Sequence, residues 1–259
     1  MITGTVALRS VSPVTVGRRP ALRSVADAPK KGCSTCFLKD VCLPSGVGAE
    51  VVRMLEGVVR VRRKVERGAP LYRAGERFEF LYAVRSGAFK SVALTVNGDE
   101  KVTGFFQPGE IMGLEGIASG LNPQSAVALE DSEVCVIPFQ PLEALTRDSA
   151  DLQRRVFRML SLGMARDQGL MLMLGGMTAE QRVAGFLLSV SRRSELLGYS
   201  ATRFVLRMSR EEIGSYLGLS LETVSRVFSR LQREGVIHAN LRDVELLDPA
   251  RIGELAGLR

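Results

Sequence analysis

The chain has no tryptophan and only one histidine, His238, among 259 residues. A single histidine excludes sites assembled from several imidazoles, such as a multi-histidine zinc hydrolase centre. It also leaves a Ser-His-Asp enzyme dependent on that one residue. No apolar run reaches the roughly 18 residues that a helix needs to cross a bilayer. Residues 1–30 are basic but lack the continuous apolar stretch of a secretory signal, which points to the cytoplasm. Disulfides are rare there, so the four cysteines read as metal ligands or redox groups. Neither G-x-G-x-x-G nor G-x-x-x-x-G-K-[ST] occurs, which removes two common phosphate-cradling loops.

The formal charge is +7, with 46% hydrophobic and 24% charged residues, enough apolar content for two ordinary domains. The charge is unevenly placed. Residues 1–49 hold seven basic and two acidic side chains, residues 50–150 twelve and fourteen, residues 151–176 four and two, and residues 177–259 twelve and ten. The C-terminal third is therefore no polycation, and DNA binding there needs a localised basic face. Residues 1–32 read as a solvated basic tail.

Residues 33–49 hold three of the cysteines. Residues 50–150 are punctuated by glycines and read as short strands, with a β-sensor domain as the outcome. Leu81–Val84 and Phe89–Val96 are β-prone runs broken by Ser86-Gly87. Asn97-Gly98 separates Val92–Val96 from Lys101–Phe106, a two-residue hairpin signal because both residues accept positive φ. Many short strands at near-regular spacing predict an antiparallel barrel or jelly roll. A catalytic cupin-type roll would need histidine and carboxylate ligands, and the one histidine lies far outside this stretch.

Residues 151–176 predict one long helix. Phe157, Leu160, Met164, Asp167, Met171 and Leu174 recur at alternating spacings of three and four, the seam of a coiled coil, although a helix packed on its own domain has the same spacing. A carboxylate at a seam costs little while solvated and much more when two copies meet with their water removed. Asp167 is therefore placed to hold dimerisation near balance.

Residues 177–259 predict a winged helix-turn-helix. Thr178-Ala179-Glu180-Gln181 and Ser209-Arg210-Glu211-Glu212 are capping boxes, each opening a helix. The second helix ends at Leu217, where Gly218 can take the left-handed cap, and Ser220 can cap the next. Val224, Val227, Phe228 and Leu231 form the core face of that next helix. Glu222, Ser225, Arg226 and Ser229 form another face, in the turns where a recognition helix touches bases. Arg226 can give two bonds to guanine, Glu222 can accept from a base amino group, and Ser225 can do either. Arg230 and Arg233 suit phosphate contacts. Val236–His238 and Asp243–Leu247 read as the wing.

Cys33, Cys36 and Cys42 form C-x2-C-x5-C, and Cys135 stands alone on a β-prone run. Four thiolates suit either tetrahedral zinc or an iron–sulfur cluster, and the chemistry does not choose between them. Free thiols, with Cys135 packed as a small hydrophobe, are the alternative.

The order of cysteine loop, β-roll, long helix and winged helix-turn-helix resembles the FNR branch of the CRP superfamily of bacterial regulators. Ile213–Arg226 is very similar to that family's helix-turn-helix, and Pro108-Gly109-Glu110 with Gly113 to its β-roll turn. The resemblance implies an α+β chain with an N-terminal cyclic-nucleotide-binding-like roll. It implies that Cys33, Cys36, Cys42 and Cys135 hold an oxygen-labile [4Fe–4S] cluster. It also implies a homodimer on TTGAT-like palindromic double-stranded DNA, read by Glu222, Ser225 and Arg226 with Ser220 and Arg230 beside them. Asp167 matches the family's seam aspartate. Gly98-Asp99-Glu100 matches a loop that touches RNA polymerase. The resemblance departs from the CRP branch where that branch binds cyclic AMP. Its Arg-Ser pair is here Gln124-Ser125, and Leu114 replaces its ribose-binding glutamate, with Glu115 one step late. A buried phosphate without its cation is costly, so no cyclic nucleotide is expected. A zinc or thiol-redox switch is the alternative to the cluster. No enzymatic activity is expected.

Overall fold

Amphipathic spacing makes a helix where strand-like residues were expected. Val51, Leu55 and Val58 lie four and three residues apart, and they turn one face of α1 (Ala49–Val58) onto a core of Leu43, Leu81, Ile137 and Leu152. Three valines in this segment mimic a strand, but burial of one helical stripe outweighs their modest helix penalty. A computed structural model describes residues 32–59 and 61–257. The basic tail, up to residue 31, lies outside the described residues.

The roll follows as β1 (Val61–Val65), β2 (Pro70–Tyr72), β3 (Phe80–Ser86), β4 (Phe89–Leu94), β5 (Glu100–Phe106), β6 (Ile111–Met112), β7 (Ser125–Ala128) and β8 (Ser132–Pro138). Two antiparallel four-stranded sheets result, in the orders β1-β8-β3-β6 and β2-β7-β4-β5. Phe89, Met112, Val84 and Val134 fill the space between them. The β4–β5 connection corrects the two-residue hairpin. Strand pairing ends at Leu94 and Glu100, and Thr95–Asp99 form a five-residue loop closed by Thr95 N to Asp99 O (2.9 Å). Gly98 adopts φ +86°, whereas Asn97 is not among the positive-φ residues, so the tight turn that needs both never forms.

Two helices leave the roll, α2 (Phe139–Asp148) and the 27-residue α3 (Ala150–Gly176). The C-terminal half comprises α4 (Ala179–Leu196), β9 (Arg203–Val205), α5 (Arg210–Leu217), α6 (Leu221–Arg233), β10 (Ile237–Asn240), β11 (Asp243–Leu246) and α7 (Pro249–Ala256). Both predicted capping boxes are formed in full, and Ser220 caps α6 through Thr223 N. The wing hairpin β10–β11 gains a third strand, β9. Among the described residues no helix is long and apolar enough to cross a membrane.

Val92, Val102 and Phe105 of the roll share one apolar cluster with Phe186, Ile213, Val224 and Leu231 of the C-terminal half. Val102 N donates to Ser215 Oγ (3.0 Å), and Lys90 pairs with Glu212 (2.9 Å), so α5 lies along the outer edge of β5.

Candidate metal centre and nucleic-acid interface

The cysteine stretch winds into successive tight turns. A single 3-10 turn spans Cys33–Thr35. Cys36 N then bonds Cys33 O (3.2 Å), and Cys42 N bonds Leu38 O (2.8 Å). Glu56 of α1 anchors the start, accepting from Ser34 N (2.8 Å) and Ser34 Oγ (2.6 Å). Those two bonds hold the Glu56 carboxyl below the usual carboxylate range. Cys135 sits mid-strand on β8, opposite Arg62 of β1 and Ala83 of β3. The structure brings all four cysteines to one apolar cavity, walled by Leu38, Leu43, Val59 and Ile137. All four are free thiols.

Burial pushes the Cys33 thiol up to about 11 and Cys42 up to about 12, and neighbouring cysteines push both further in that direction. Burial also raises Cys135, against the nearby Arg85 and Arg62 guanidinium groups. Such a set is poor at holding negative charge alone and suited to cations that displace its protons. Among the described residues no three His, Cys, Asp or Glu side chains converge on a point that would hold one ion. A lone zinc draws four sulfurs to about 2.3 Å, whereas a cubane takes one thiolate per iron and leaves the sulfurs apart. Four thiols around one apolar cavity supply the donor set that either group needs.

Three contacts that sequence reasoning missed tie this loop to its surroundings. Arg85 Nη1 approaches Cys36 Sγ at 3.8 Å while Arg85 Nε pairs with Glu133 at 2.9 Å. Arg155 Nη2, on α3, donates to Val41 O (3.1 Å) and Cys42 O (2.8 Å). The Pro108-Gly109 turn presses on Val41, because a Cβ built on Gly109 (φ +89°) would lie 2.8 Å from Val41 Cγ2. No periodicity marks an arginine whose partners are backbone carbonyls far away in sequence.

The predicted seam is open on this chain. Phe157 is 61% exposed, Met164 64% and Met171 63%, and Asp167 is also exposed, while Leu160 and Leu174 are less so. The adjoining stripe of α3, with Leu152, Val156 and Met159, packs on the chain's own core. The helix is thus buried on one side and apolar but uncovered on the seam side.

On α6, Val224, Val227, Phe228 and Leu231 are buried, and Glu222, Arg226 and Ser229 are exposed beside the partly covered Ser225. Glu222 is held below the usual carboxylate range by its own amide, by Ser220 and by Arg226. Arg230 departs from a free phosphate contact, since it pairs with Glu234 (2.8 Å) and Glu180 (3.1 Å). Any phosphate must compete with those carboxylates, whereas Arg233 stands exposed on the same helix. Gly98, Asp99 and Glu100 lie at an exposed hairpin tip, well apart from the cysteines in the fold.

Inside the roll, Gln124 Oε1 accepts from Thr103 Oγ1 (2.6 Å) and Ser125 Oγ from Ala74 N (2.9 Å). Tyr72 OH donates to Glu115 (3.3 Å) and its ring stacks on Tyr82. Burial drives the Tyr72 phenol upward, so it stays a neutral donor.

Two family models match: the cyclic nucleotide-binding domain over residues 62–149 and the Crp-like helix-turn-helix domain over residues 181–255. The transcriptional regulatory protein btr of Bordetella pertussis is 46% identical over 87% of this chain and 93% of its own length. The fumarate and nitrate reduction regulatory protein of Escherichia coli K12 is 35% identical over 87% of this chain and 90% of its own. Among solved structures, FixK2 from Bradyrhizobium japonicum matches with 32% identity and a TM-score of 0.69, over 75% of this chain and 96% of that one. The chain is a DNA-binding transcription regulator rather than an enzyme, and it belongs to the CRP/FNR family, in its FNR-type branch.

Proposed function

We propose that the protein is a cytoplasmic oxygen-responsive regulator of anaerobic genes. It works as a homodimer that binds palindromic TTGAT-like DNA and acts on RNA polymerase. The observation that carries the reading is the meeting of Cys33, Cys36, Cys42 and Cys135 at one apolar cavity. Similarity to a fumarate and nitrate reduction regulator supports the anaerobic assignment. A [4Fe–4S] cluster on these four thiolates would supply an oxygen-labile crosslink between the loop and β8.

The rest of the action belongs to the chain's own residues. The cysteine loop presents the Val41 and Cys42 carbonyls to Arg155 and seats Val41 against the Pro108-Gly109 turn. The base of α3 is thereby fixed, and the open seam Phe157–Leu174 can close on a second copy against the Asp167 repulsion. Two copies of α6 then sit about one helical turn apart in successive major grooves. Glu222, Ser225 and Arg226 read bases there, Ser220 frames the helix start, and Arg230 exchanges Glu180 or Glu234 for phosphate. The tip Gly98-Asp99-Glu100 is free to meet the polymerase. No cyclic nucleotide is needed. The former ligand groups Gln124 and Ser125 are already bonded within the roll, and no arginine replaces Gln124 to meet a phosphate.

Iron and acid-labile sulfide measured on anaerobically prepared protein test the reading. About four irons per chain, lost in Cys135→Ala, are expected. Colourless protein that contains zinc and binds its palindrome equally well in air would replace the cluster with a zinc or thiol switch.

A further inference from the structure

The joint between the seam helix and the DNA-binding half is organised around one side chain. Arg182 lies in the first turn of α4, and its guanidinium spends every nitrogen on a backbone carbonyl. Nη2 donates to Leu174 O (2.9 Å) in the last turn of α3. Nε donates to Met177 O (2.9 Å) in the link. Nη1 donates to Leu217 O (3.0 Å) at the end of α5. Carbonyls in the last turn of a helix have no intrahelical donor, and they carry the negative end of the helix dipole. Two such ends, from α3 and α5, meet on one cation. A planar fork with fixed donor directions can bridge three acceptors, whereas an ammonium offers only a point charge.

Packing reinforces the same joint. Gly218, the residue after α5, has φ +64°, and a Cβ built there would lie 3.2 Å from Leu174 Cδ2 and 3.4 Å from Arg182 Nη1. Leu174 is also the last residue of the predicted seam. The end of the dimer helix therefore rests directly on the turn from which α6 departs three residues later. We propose that Arg182 is a positioning residue that fixes the angle between α3 and the helix-turn-helix, and so sets the operator half-site spacing that a dimer accepts. The inference rests on the dimeric DNA-binding reading and is independent of what the cysteines hold.

The physical leverage is large. One base pair added between half-sites moves the second by about 3.4 Å and turns it by about 35°, which a rigid joint cannot follow. The experiment uses the full chain, as parent, Arg182→Gln and Arg182→Lys, at concentrations where sedimentation shows dimers. The duplexes are an operator selected by the parent from a randomised pool, the same operator with one central base pair inserted or deleted, and a single half-site. The parent should lose roughly 30-fold or more on the altered spacings, the cost of losing one half-site's base contacts. Arg182→Gln should bind the native spacing roughly tenfold more weakly and tell the spacings apart by less than about threefold, with half-site affinity unchanged. Arg182→Lys should fall between. Parental spacing discrimination in Arg182→Gln overturns the coupling alone, as does an equal loss on every duplex including the half-site. If Arg182→Gln fails to fold, Arg182→Lys decides: reduced discrimination supports the coupling and parental discrimination overturns it. A parent that binds as a monomer without spacing preference overturns both the dimer reading and the coupling.

Discussion

Asp167 stands exposed midway along an otherwise apolar stripe, where water solvates its charge in the single chain. Closing the seam brings two copies together and removes that water, so the carboxylate opposes the association its neighbours favour. Asp167→Ala should therefore tighten the dimer by about 2–3 kcal/mol, roughly 30- to 150-fold in dissociation constant, and bind operator DNA in air. Sedimentation equilibrium in air reads this directly. A variant as weakly dimeric as the parent removes Asp167 from the balance. The thiols give a second residue-scale expectation. Cys33 and Cys42 titrate near 11 and 12 in the folded chain, above their ordinary value of 9.0, chiefly through burial. A raised folded value means that the native state keeps its protons after the unfolded chain has released them. Stability of the metal-free protein is then fully present below about pH 9 and drains away as the pH rises toward 11–12. Denaturant titrations at stepped alkaline pH should show that decline, and Cys42→Ser should flatten it. A parent whose stability is level up to pH 11 contradicts the assignment.

At the scale of elements, the cysteine loop matters through what it leans on. Arg155 reaches from the second turn of α3 to two loop carbonyls, one of them on Cys42 itself, a ligand in the proposed reading, and burial already lowers its hold on the proton. Arg155→Met keeps the apolar stem and removes the donors. We expect iron content to match the parent's and anaerobic dimerisation to weaken by about 1.5–3 kcal/mol, the usual cost of a charged hydrogen bond. Normal dimerisation in that variant, followed by sedimentation beside iron analysis, would show that the apolar contacts suffice. These elements differ in how readable they were. The capping boxes at Thr178 and Ser209 and the left-handed Gly218 were legible because each is a local bargain between a side chain and its own backbone. Helix α1 was not, since its valines suit a strand and only the burial of one stripe against Leu43 and Ile137 decides the matter. Asn97-Gly98 misled because the strands stop pairing before the turn can tighten. The cysteine site was half legible: the triplet announced a ligand set, but only β8 pairing between β1 and β3 carries Cys135 to it. Arg155 and Arg182 could not be read at all, because their acceptors are carbonyls that any sequence supplies.

In the whole molecule, sensor and reader are not beads on a string. Phe105 of β5 is buried between Phe186 of α4 (centroids 6.1 Å) and Tyr216 of α5 (5.2 Å), within an apolar cluster that spans both halves. Charged contacts surround that junction. Lys90 pairs with Glu212 at 2.9 Å and Arg207 with Glu130 at 2.8 Å, and Glu110 binds Arg193 of α4 and, at 3.3 Å, Arg166 of α3. Glu110 belongs to the same turn whose Gly109 touches Val41 of the cysteine loop, so one short segment meets the cysteine loop, the seam helix and the DNA-binding half. These pairs range from half-buried to exposed and are individually weak where water reaches them, and the apolar cluster supplies most of the cohesion. Two halves joined this way should unfold together, with a calorimetric enthalpy equal to the van't Hoff value. Phe105→Ala should cost about 3–5 kcal/mol, because it opens a cavity in the apolar junction that both halves share. The same variant should split the single transition in two, the roll and the helix-turn-helix melting separately. Lys90→Ala should lower the midpoint slightly and leave one transition, since it removes a charge pair and no shared surface. Two separate transitions in the parent would mean that the junction is too weak to couple the halves. The seam helix would then be the only route by which the cysteine loop could reach the recognition helix.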